Sequence, residues 1–520
     1  MCIENDFTSG RTKDIEITVE TVCDEARFDN SWVDRLQKAW GIAILIEKEL
    51  YMFSTDKISL TTDVCIIGGG SGGFAAAASA SGRGANVIIV EKESILGGTS
   101  TSAGVNCYEP GIANRHYDLM LYEQLSRIPG AAFIGKSTKG YSVDKPWGLS
   151  EADEQAVYTD SLRRSGLESS KWRRMHFEPN PLANAMENHL LQTGKVKILY
   201  NCTFLSASVS GNRINTVQIV SQKEGTCILI KAKVFIDSSG SIILARASGC
   251  QYTTGQESRD TYGEESAPAQ SNTKVNGVTL VARVTPVDEK YVDNLPEWVS
   301  DSDAEEWFDE TRAVAMNKYP DGDLNLNILP VMDGEEFLHA SYEENYQICK
   351  ARVYKQWNWL QREKGFSGYR LKYFASLLGI REDYRLKGKY VLRESDIMAG
   401  YQDQNKKNET VAFSDHAFDT HSQHSKIKEV VIPYGVPYDC LLTKEVENLM
   451  VACRGASFSH IAASSCRLSR TIMALGEAAG TAAAMSVKDH KTVHEIPIQH
   501  LRSQLCIEQT QEFIYDNWKS

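Results

Sequence analysis

The sequence predicts an α/β chain: a doubly wound, Rossmann-like domain with a mixed α+β domain inserted into it. Three observations predict this. The apolar run Val64–Ile67 leads at once into Gly68-Gly69-Gly70-Ser71-Gly72-Gly73. The small residues Phe74–Ser81 then precede a second apolar run, Val87–Val90, closed by Glu91. Far along the chain, Glu447–Cys453 repeats the buried-strand pattern ahead of an alanine-rich helix carrying Gly476 and Gly480. Short apolar runs bounded by turn signals mark strands covered on both faces.

Taken in order, residues 1–60 read as an N-terminal extension. Trp32, Leu36, Trp40 and Ile44 recur at helical spacing, which predicts one helix over 31–51. Residues 61–114 form the first part of the Rossmann-like domain, as strand, glycine turn, helix and strand. Residues 115–183 are rich in Tyr, Arg and Ser and read as an inserted helical and loop segment. Residues 184–254 return to the domain: a helix through Asn184–Leu191, the strand Val196–Tyr200, and runs in Thr203–Val220 and Cys227–Phe235 that alternate like antiparallel strands. Residues 255–430 carry many of the tryptophans and charges and read as the inserted mixed α+β domain. Residues 431–490 are the third part of the first domain, with a long helix over Arg467–Met485. Residues 491–520 read as a helical tail.

The glycine turn carries G-x-G-x-x-G at 68, 70 and 73. Such a turn lets a backbone approach a pyrophosphate, and the next helix points its free N–H groups at the anion. Glu91 closes the following strand about 20 residues on, where a carboxylate accepts from a ribose hydroxyl. The motif alone does not separate FAD from NAD. Gly97-Gly98-Thr99-Ser100 adds glycines and hydroxyls that wrap a phosphate or a ring edge. The distal segment favours FAD, because that cofactor is long and its isoalloxazine needs a second segment. Arg454 follows the distal strand, and Ser464-Ser465-Cys466-Arg467 opens the glycine-bearing helix. A helix N-terminus aimed at the flavin pyrimidine stabilises negative charge there. The expected FAD contacts are therefore Gly68, Gly70, Ser71, Gly72, Gly73, Glu91, Lys92, Gly97, Gly98, Thr99, Ser100, Gly240, Arg454, Ser465 and Arg467.

Here the sequence resembles the FAD-dependent oxidoreductases related to the flavoprotein subunits of fumarate reductase and succinate dehydrogenase. The specific segments, in order, are IREDYRLKGKYVL, FDTH, VPYDCLLTKEVENLMVACRGAS and MALGEAAGTAAA. The resemblance implies an FAD domain assembled from three separated stretches with a substrate domain between them. Where some relatives carry a flavin-linking histidine, Thr99 and Ser100 stand here, which predicts non-covalent FAD.

Hydride transfer to flavin needs an acid or base near the substrate carbon and a cation for its oxygen. His421, in Asp419-Thr420-His421, is the first acid/base candidate, and a solvated loop histidine is the bland alternative. Arg381 is the candidate substrate anchor. Arg381 and Arg385 each have a structural alternative, a salt bridge with Glu382 or Asp383. His460, ahead of the glycine-bearing helix, is the third catalytic candidate, with capping as its alternative. His416, His421 and His424 fit no zinc spacing, so no metal is expected. Cys107 is expected to be a packed thiol.

The net charge of -12 disfavours nucleic acid and anionic membranes as partners. Twelve cysteines without a Cys-x-x-Cys pair suit reduced thiols. No basic region followed by a long apolar run opens the chain, no stretch is long enough to span a bilayer, and a cytoplasmic location is expected. The leading function is an FAD-dependent oxidoreductase acting on a small polar substrate, a carboxylate or a carbohydrate. An NAD-dependent dehydrogenase and a flavin-binding sensor without turnover are the alternatives. The electron donor or acceptor is not identified by the sequence, and homo-oligomerisation is compatible with it.

Overall fold

A computed structural model of the chain describes residues 58–109, 111, 117–136, 173–299, 313–420, 430 and 432–518. The helix expected over 31–51, His421 and His424 lie outside these residues.

Strand β1 (Ile58–Ile67) runs parallel to β2 (Val87–Val90), with Val64 opposite Val87 and Ile67 opposite Val90. Helix α1 (Ser71–Gly82) crosses between them. All four residues of β2 are buried, as the unbroken apolar run predicts for a strand covered on both faces. Strand β3 (Val196–Leu199) extends the sheet beyond β2, also in parallel. Then β4 (Cys202–Ser210), β5 (Arg213–Ser221) and β6 (Cys227–Asp237) form an antiparallel meander. Strand β6 joins the two halves of the sheet. Its first residues pair with β5, while its length lies parallel to β1 from Ile58–Ile228 to Ile67–Asp237. Its end pairs with the distal strand β7 (Leu449–Val451). The order is β3-β2-β1-β6-β5-β4, with β7 beside the end of β6.

The middle of the chain builds a second core. Strands 282–286, 313–318, 324–329 and 369–374 form an antiparallel sheet. Helix α2 (Tyr342–Glu363) starts with a Ser341–Glu344 capping box. It contributes Cys349, Val353, Trp357 and Leu360 to that core, which runs from Val278 to Leu378. Leu386, Leu392, Ile397, Val411 and Phe418 pack with the first core instead. The second core is thus narrower than the 255–430 stretch, because most of the buried apolar residues beyond Ile380 pack with the first core, and Tyr401 and Phe413 with the tail helices.

The distal helix is two helices. Ser459 caps α3 (His460–Ser465), and α4 (Ser469–Asp489) follows after a break at 466–468. Ser464 and Ser465 therefore end the short helix and do not open the long one. Helix α4 lies directly on α1. A Cβ at Gly476 would stand 2.2 Å from the Gly72 carbonyl oxygen, and one at Gly480 would stand 2.2 Å from that of Ala76. Ser79 and Thr481 hydroxyls meet across the same contact at 2.8 Å. Two further helices, Ile498–Gln504 and Ile507–Trp518, form the tail. Among the described residues every cysteine is a free thiol, and no helix is long and apolar enough to cross a membrane.

Candidate active site

The carboxyl ends of β1, β2, β6 and β7 open into one cleft, the place where open α/β sheets bind ligands. Gly68, Gly70, Ser71 and Gly72 line it at the end of β1, and Glu91 and Lys92 at the end of β2. Gly98 and Thr99 line it from the second glycine turn, Gly240 from beyond β6, and Arg454 from beyond β7. Arg381 and Arg467 complete the set of sequence-predicted residues on its walls. Gly73, Gly97, Ser100, Ser465 and His460 are not on those walls. Gly73 lies inside α1. Ser100 reaches Ser469 at the start of α4, hydroxyl to hydroxyl at 3.0 Å. Ser465 donates to the His416 carbonyl and meets the Tyr434 hydroxyl at 2.7 Å.

The turn is built for an anion. Gly68 has φ +98°, and a Cβ there would stand 2.5 Å from the Ser238 carbonyl oxygen. A Cβ at Gly70 would meet no atom within 4 Å, so the backbone there faces open cleft. No side chain caps the start of α1. The cleft therefore has both a bare backbone and uncapped N–H groups, as a pyrophosphate requires.

Glu91 is buried, and both its oxygens are held. One accepts from Gly69 N–H at 2.6 Å, the other from Glu93 N–H at 2.9 Å. Burial pushes its pKa up, and the two N–H groups pull it back. Each carboxylate oxygen keeps a lone pair for a ribose hydroxyl. Glu91→Ala is expected to weaken FAD by roughly 10–100-fold, the worth of one charge-assisted hydrogen bond. A dilution series followed by flavin fluorescence measures this, and unchanged occupancy would reduce Glu91 to a brace for the turn.

Several wall residues escaped the sequence reading. Cys202, Thr203 and Phe204 enter from the start of β4, and Ser238, Ser239 and Ser241 from the end of β6. The parallel pairing of β6 with β1 brings the serines there, while Cys202 N–H donates to the Glu91 carbonyl at 2.9 Å and so brings in the start of β4; alternation alone reveals neither. Arg246 also lines the cleft, its guanidinium 3.6 Å over the Tyr384 ring. Asp383 accepts from the Ser241 hydroxyl and lies 3.8 Å from Arg454.

The other end is cationic. Arg381 is half-buried and donates to the Gly277 carbonyl at 2.8 Å and the Thr279 hydroxyl at 2.9 Å. Among the described residues no carboxylate forms a salt bridge with it. Burial and the neighbouring Arg467 push it down to about 9, which leaves it charged at neutral pH. Arg467 donates to the Asp419 carbonyl at 3.0 Å, with the Asp419 carboxylate at 3.9 Å. The Nε groups of Arg246, Arg454 and Arg467 are buried and find no acceptor among the described residues. Orphaned donors and a bare glycine turn together fit a cofactor with phosphate and carbonyl oxygens. Ser469 and Ile472, in the first turn of α4, line the same cleft, so its N-terminus adds to this positive potential.

Arg385 has the structural role. It is fully buried, pairs with Glu382, and reaches Glu257 at 2.6 Å and the Gly255 carbonyl at 2.7 Å. His460 belongs to this network. Its Nδ1 lies 2.9 Å from Glu382, and Gln256 Nε2 lies 3.0 Å from its Nε2. The Gln256 oxygen is taken by Asn272, so its nitrogen donates and the imidazole is neutral, with the proton on Nδ1. Burial, then Arg385, push His460 down to about 3. Glu382 favours the charged ring, but Arg385 already balances that carboxylate.

This has a sign in pH. The folded pKa lies below the unfolded value, so the folded state binds fewer protons at acid pH. The contribution is complete above about 6.5 and is lost as pH falls towards 3, at about 1.4 kcal/mol per unit. The difference in unfolding free energy between wild type and His460→Gln, measured from pH 7 to 4, should show that slope. Parallel curves would mean that His460 titrates normally.

Beside Arg467, Glu109 holds Arg174 at 2.7 Å and His416 at 3.5 Å. Cys107 is half-buried, and its desolvation pushes the thiol up, which leaves it a neutral packed group.

The sequence profile of the FAD dependent oxidoreductase family matches residues 63–505. No curated protein sequence matches the chain. Among solved structures, a geranylgeranyl bacteriochlorophyll reductase-like protein from Thermoplasma acidophilum aligns at 12% identity over 88% of this chain and 86% of that one, with a TM-score of 0.44. The p-nitrophenol 4-monooxygenase of Pseudomonas putida aligns at 11% identity over 89% of each chain, with a TM-score of 0.43. A flavin-dependent brominase aligns at 13% identity over 85% of this chain and 83% of that one, with a TM-score of 0.44.

Proposed function

The chain belongs to the FAD-dependent oxidoreductase family, and from that premise we propose that it transfers a hydride between flavin and a small substrate bearing a carboxylate. Family membership sets FAD over NAD and an enzyme over a passive flavin sensor. Bound FAD supplies the redox ring; the chain supplies everything that positions and charges its surroundings.

The observation that carries the substrate class is the charge balance at the Arg381 end. Arg381 and Arg467, both half-buried, have the Asp419 carboxylate between them, and the other carboxylate beside Arg467, Glu109, is already paired with Arg174. A surplus cation in a water-poor cleft is costly until an anion arrives. Arg381 spends one nitrogen on Gly277 and Thr279, and its remaining N–H groups suit a planar, two-oxygen acceptor. His421 is assigned the proton transfer at the substrate carbon. A carbohydrate offers no charge to meet the surplus, so it ranks second.

The test is the visible spectrum of the purified protein under anaerobic titration. 2-Hydroxy acids should bleach the oxidised flavin, or enoates should restore its colour after chemical reduction. Neutral sugars should do neither. Bleaching by sugars alone, or no response to any carboxylate, would overturn the proposed substrate class while leaving the flavoenzyme intact.

A further inference from the structure

The second core also reaches the cleft. Phe337, Tyr342 and Asn345 line it together with Lys92 of the first core. Tyr342 and Asn345 lie three residues apart on α2 and so share a face of the helix. Lys92 Nζ stands 5.2 Å from the centre of the Tyr342 ring.

Asn345 is 1% exposed. Its Nδ2 donates to the Phe337 carbonyl at 2.7 Å and the Ala340 carbonyl at 3.3 Å. Those two acceptors fix which way the amide points, since the reverse would set oxygen against oxygen. The Oδ1 is then buried with no donor among the described residues. Buried acceptors in folded proteins are almost always satisfied, so an orphan on a cleft wall points to a ligand. The ligand must donate. Phosphates and flavin carbonyls are thereby excluded as its partner. The donors of FAD are its sugar and ribityl hydroxyls, the flavin N3–H and the adenine amino group, and the hydroxyls are favoured because Glu91, next to Lys92, is already placed for one of them.

We propose that Asn345 Oδ1 accepts a hydrogen bond from a sugar hydroxyl of bound FAD, so that the cofactor ties the second core to the first. This rests on the cleft being the FAD site. It makes Asn345 a cofactor-binding residue that no glycine motif announces, contributed by the inserted domain.

Deflavinated full-length protein would be titrated with FAD, and thermal midpoints read with and without it. Asn345→Ala should weaken FAD roughly 3–10-fold, the worth of one hydrogen bond, and should shrink the rise in midpoint that FAD produces. Ser341→Ala is the control. It removes the cap of the same helix, where Ser341 Oγ accepts from Glu344 N–H at 3.2 Å, without touching the cleft. It should lower both midpoints alike and leave FAD affinity unchanged. Asn345→Leu fills similar space without a polar atom, so it leaves no acceptor for FAD and should weaken FAD as Asn345→Ala does. It serves if the alanine variant does not fold. FMN distinguishes the two hydroxyl sources: parallel weakening of FMN assigns the ribityl chain, and unchanged FMN with weakened FAD assigns the adenosine ribose. Wild-type affinity in Asn345→Ala, or equal loss in Ser341→Ala, would overturn the proposal and leave the FAD site standing. Failure of the wild type to bind FAD would instead remove the cleft assignment itself.

Discussion

Arg385→Met should cost the folded protein about 3–5 kcal/mol, the usual penalty for removing one partner of a buried ion pair. Arg385 is fully buried and uses its whole guanidinium: Nε on the Phe458 carbonyl at 3.1 Å, one terminal nitrogen on Glu382, the other on Gly255 and Glu257. Methionine fills similar space but leaves Glu382 and Glu257 without their cation. Glu382 also accepts from Asn276, backbone at 2.9 Å and side chain at 2.6 Å, so the damage reaches the entry to the second core. Arg385→Lys should recover little, since one ammonium cannot meet four acceptors held in a fork. Denaturant unfolding of the holoprotein measures the loss. A change below about 1 kcal/mol would mean that the network rearranges or that the carboxylates take up protons.

The first domain was legible because its signals are local. A buried parallel strand, a glycine turn and a helix of small residues fall within thirty-odd residues, and each has a steric reason to be where it is. Gly476 and Gly480 were readable for the same reason: glycines one turn apart on an alanine helix are useful when another backbone lies against them. The walls of the cleft were legible only in part. Arg246 and the serines at 238, 239 and 241 follow β6 and reach it through the parallel register of β6 on β1, and register across such separations leaves no periodic mark. Arg381 and Arg385 looked equivalent in the segment IREDYRL. Tertiary contacts separate them, one facing the cleft beside Arg467 and the other closed into Glu382 and Glu257. His460 was open to both readings because a histidine before a flavin-facing helix suits catalysis and structure equally. Only its two hydrogen-bond partners show the ring to be neutral and enclosed. The break at 466–468 was hidden because Cys466, Arg467 and Leu468 are all tolerated in a helix.

Substitutions at Arg381 and His421 should separate binding from chemistry. Arg381 holds its place through two neutral acceptors, Gly277 and Thr279, and so keeps its charge for whatever enters the cleft. Arg381→Lys retains one positive charge but loses the planar fork, and a lysine that reaches the substrate gives up those anchors. KM for a carboxylate substrate should rise roughly 10–100-fold, the worth of one charge-assisted hydrogen bond, with kcat little altered. His421→Ala should act in the opposite sense. Loss of a positioned acid or base slows proton transfer about 10²–10⁴-fold while substrate still docks on Arg381. FAD content should be unchanged in both variants, because neither residue belongs to the glycine turn or to Glu91. Stopped-flow reduction of the flavin, with substrate varied at each pH, reads the two constants apart. The wild-type rate should depend on pH through this acid/base group, and His421→Ala should lose that dependence. A lysine variant that loses kcat and not KM would move Arg381 from anchoring to chemistry. A histidine variant with a wild-type pH profile would pass the proton transfer to another group beside Arg467, where His416 and Glu109 stand next to each other at 3.5 Å.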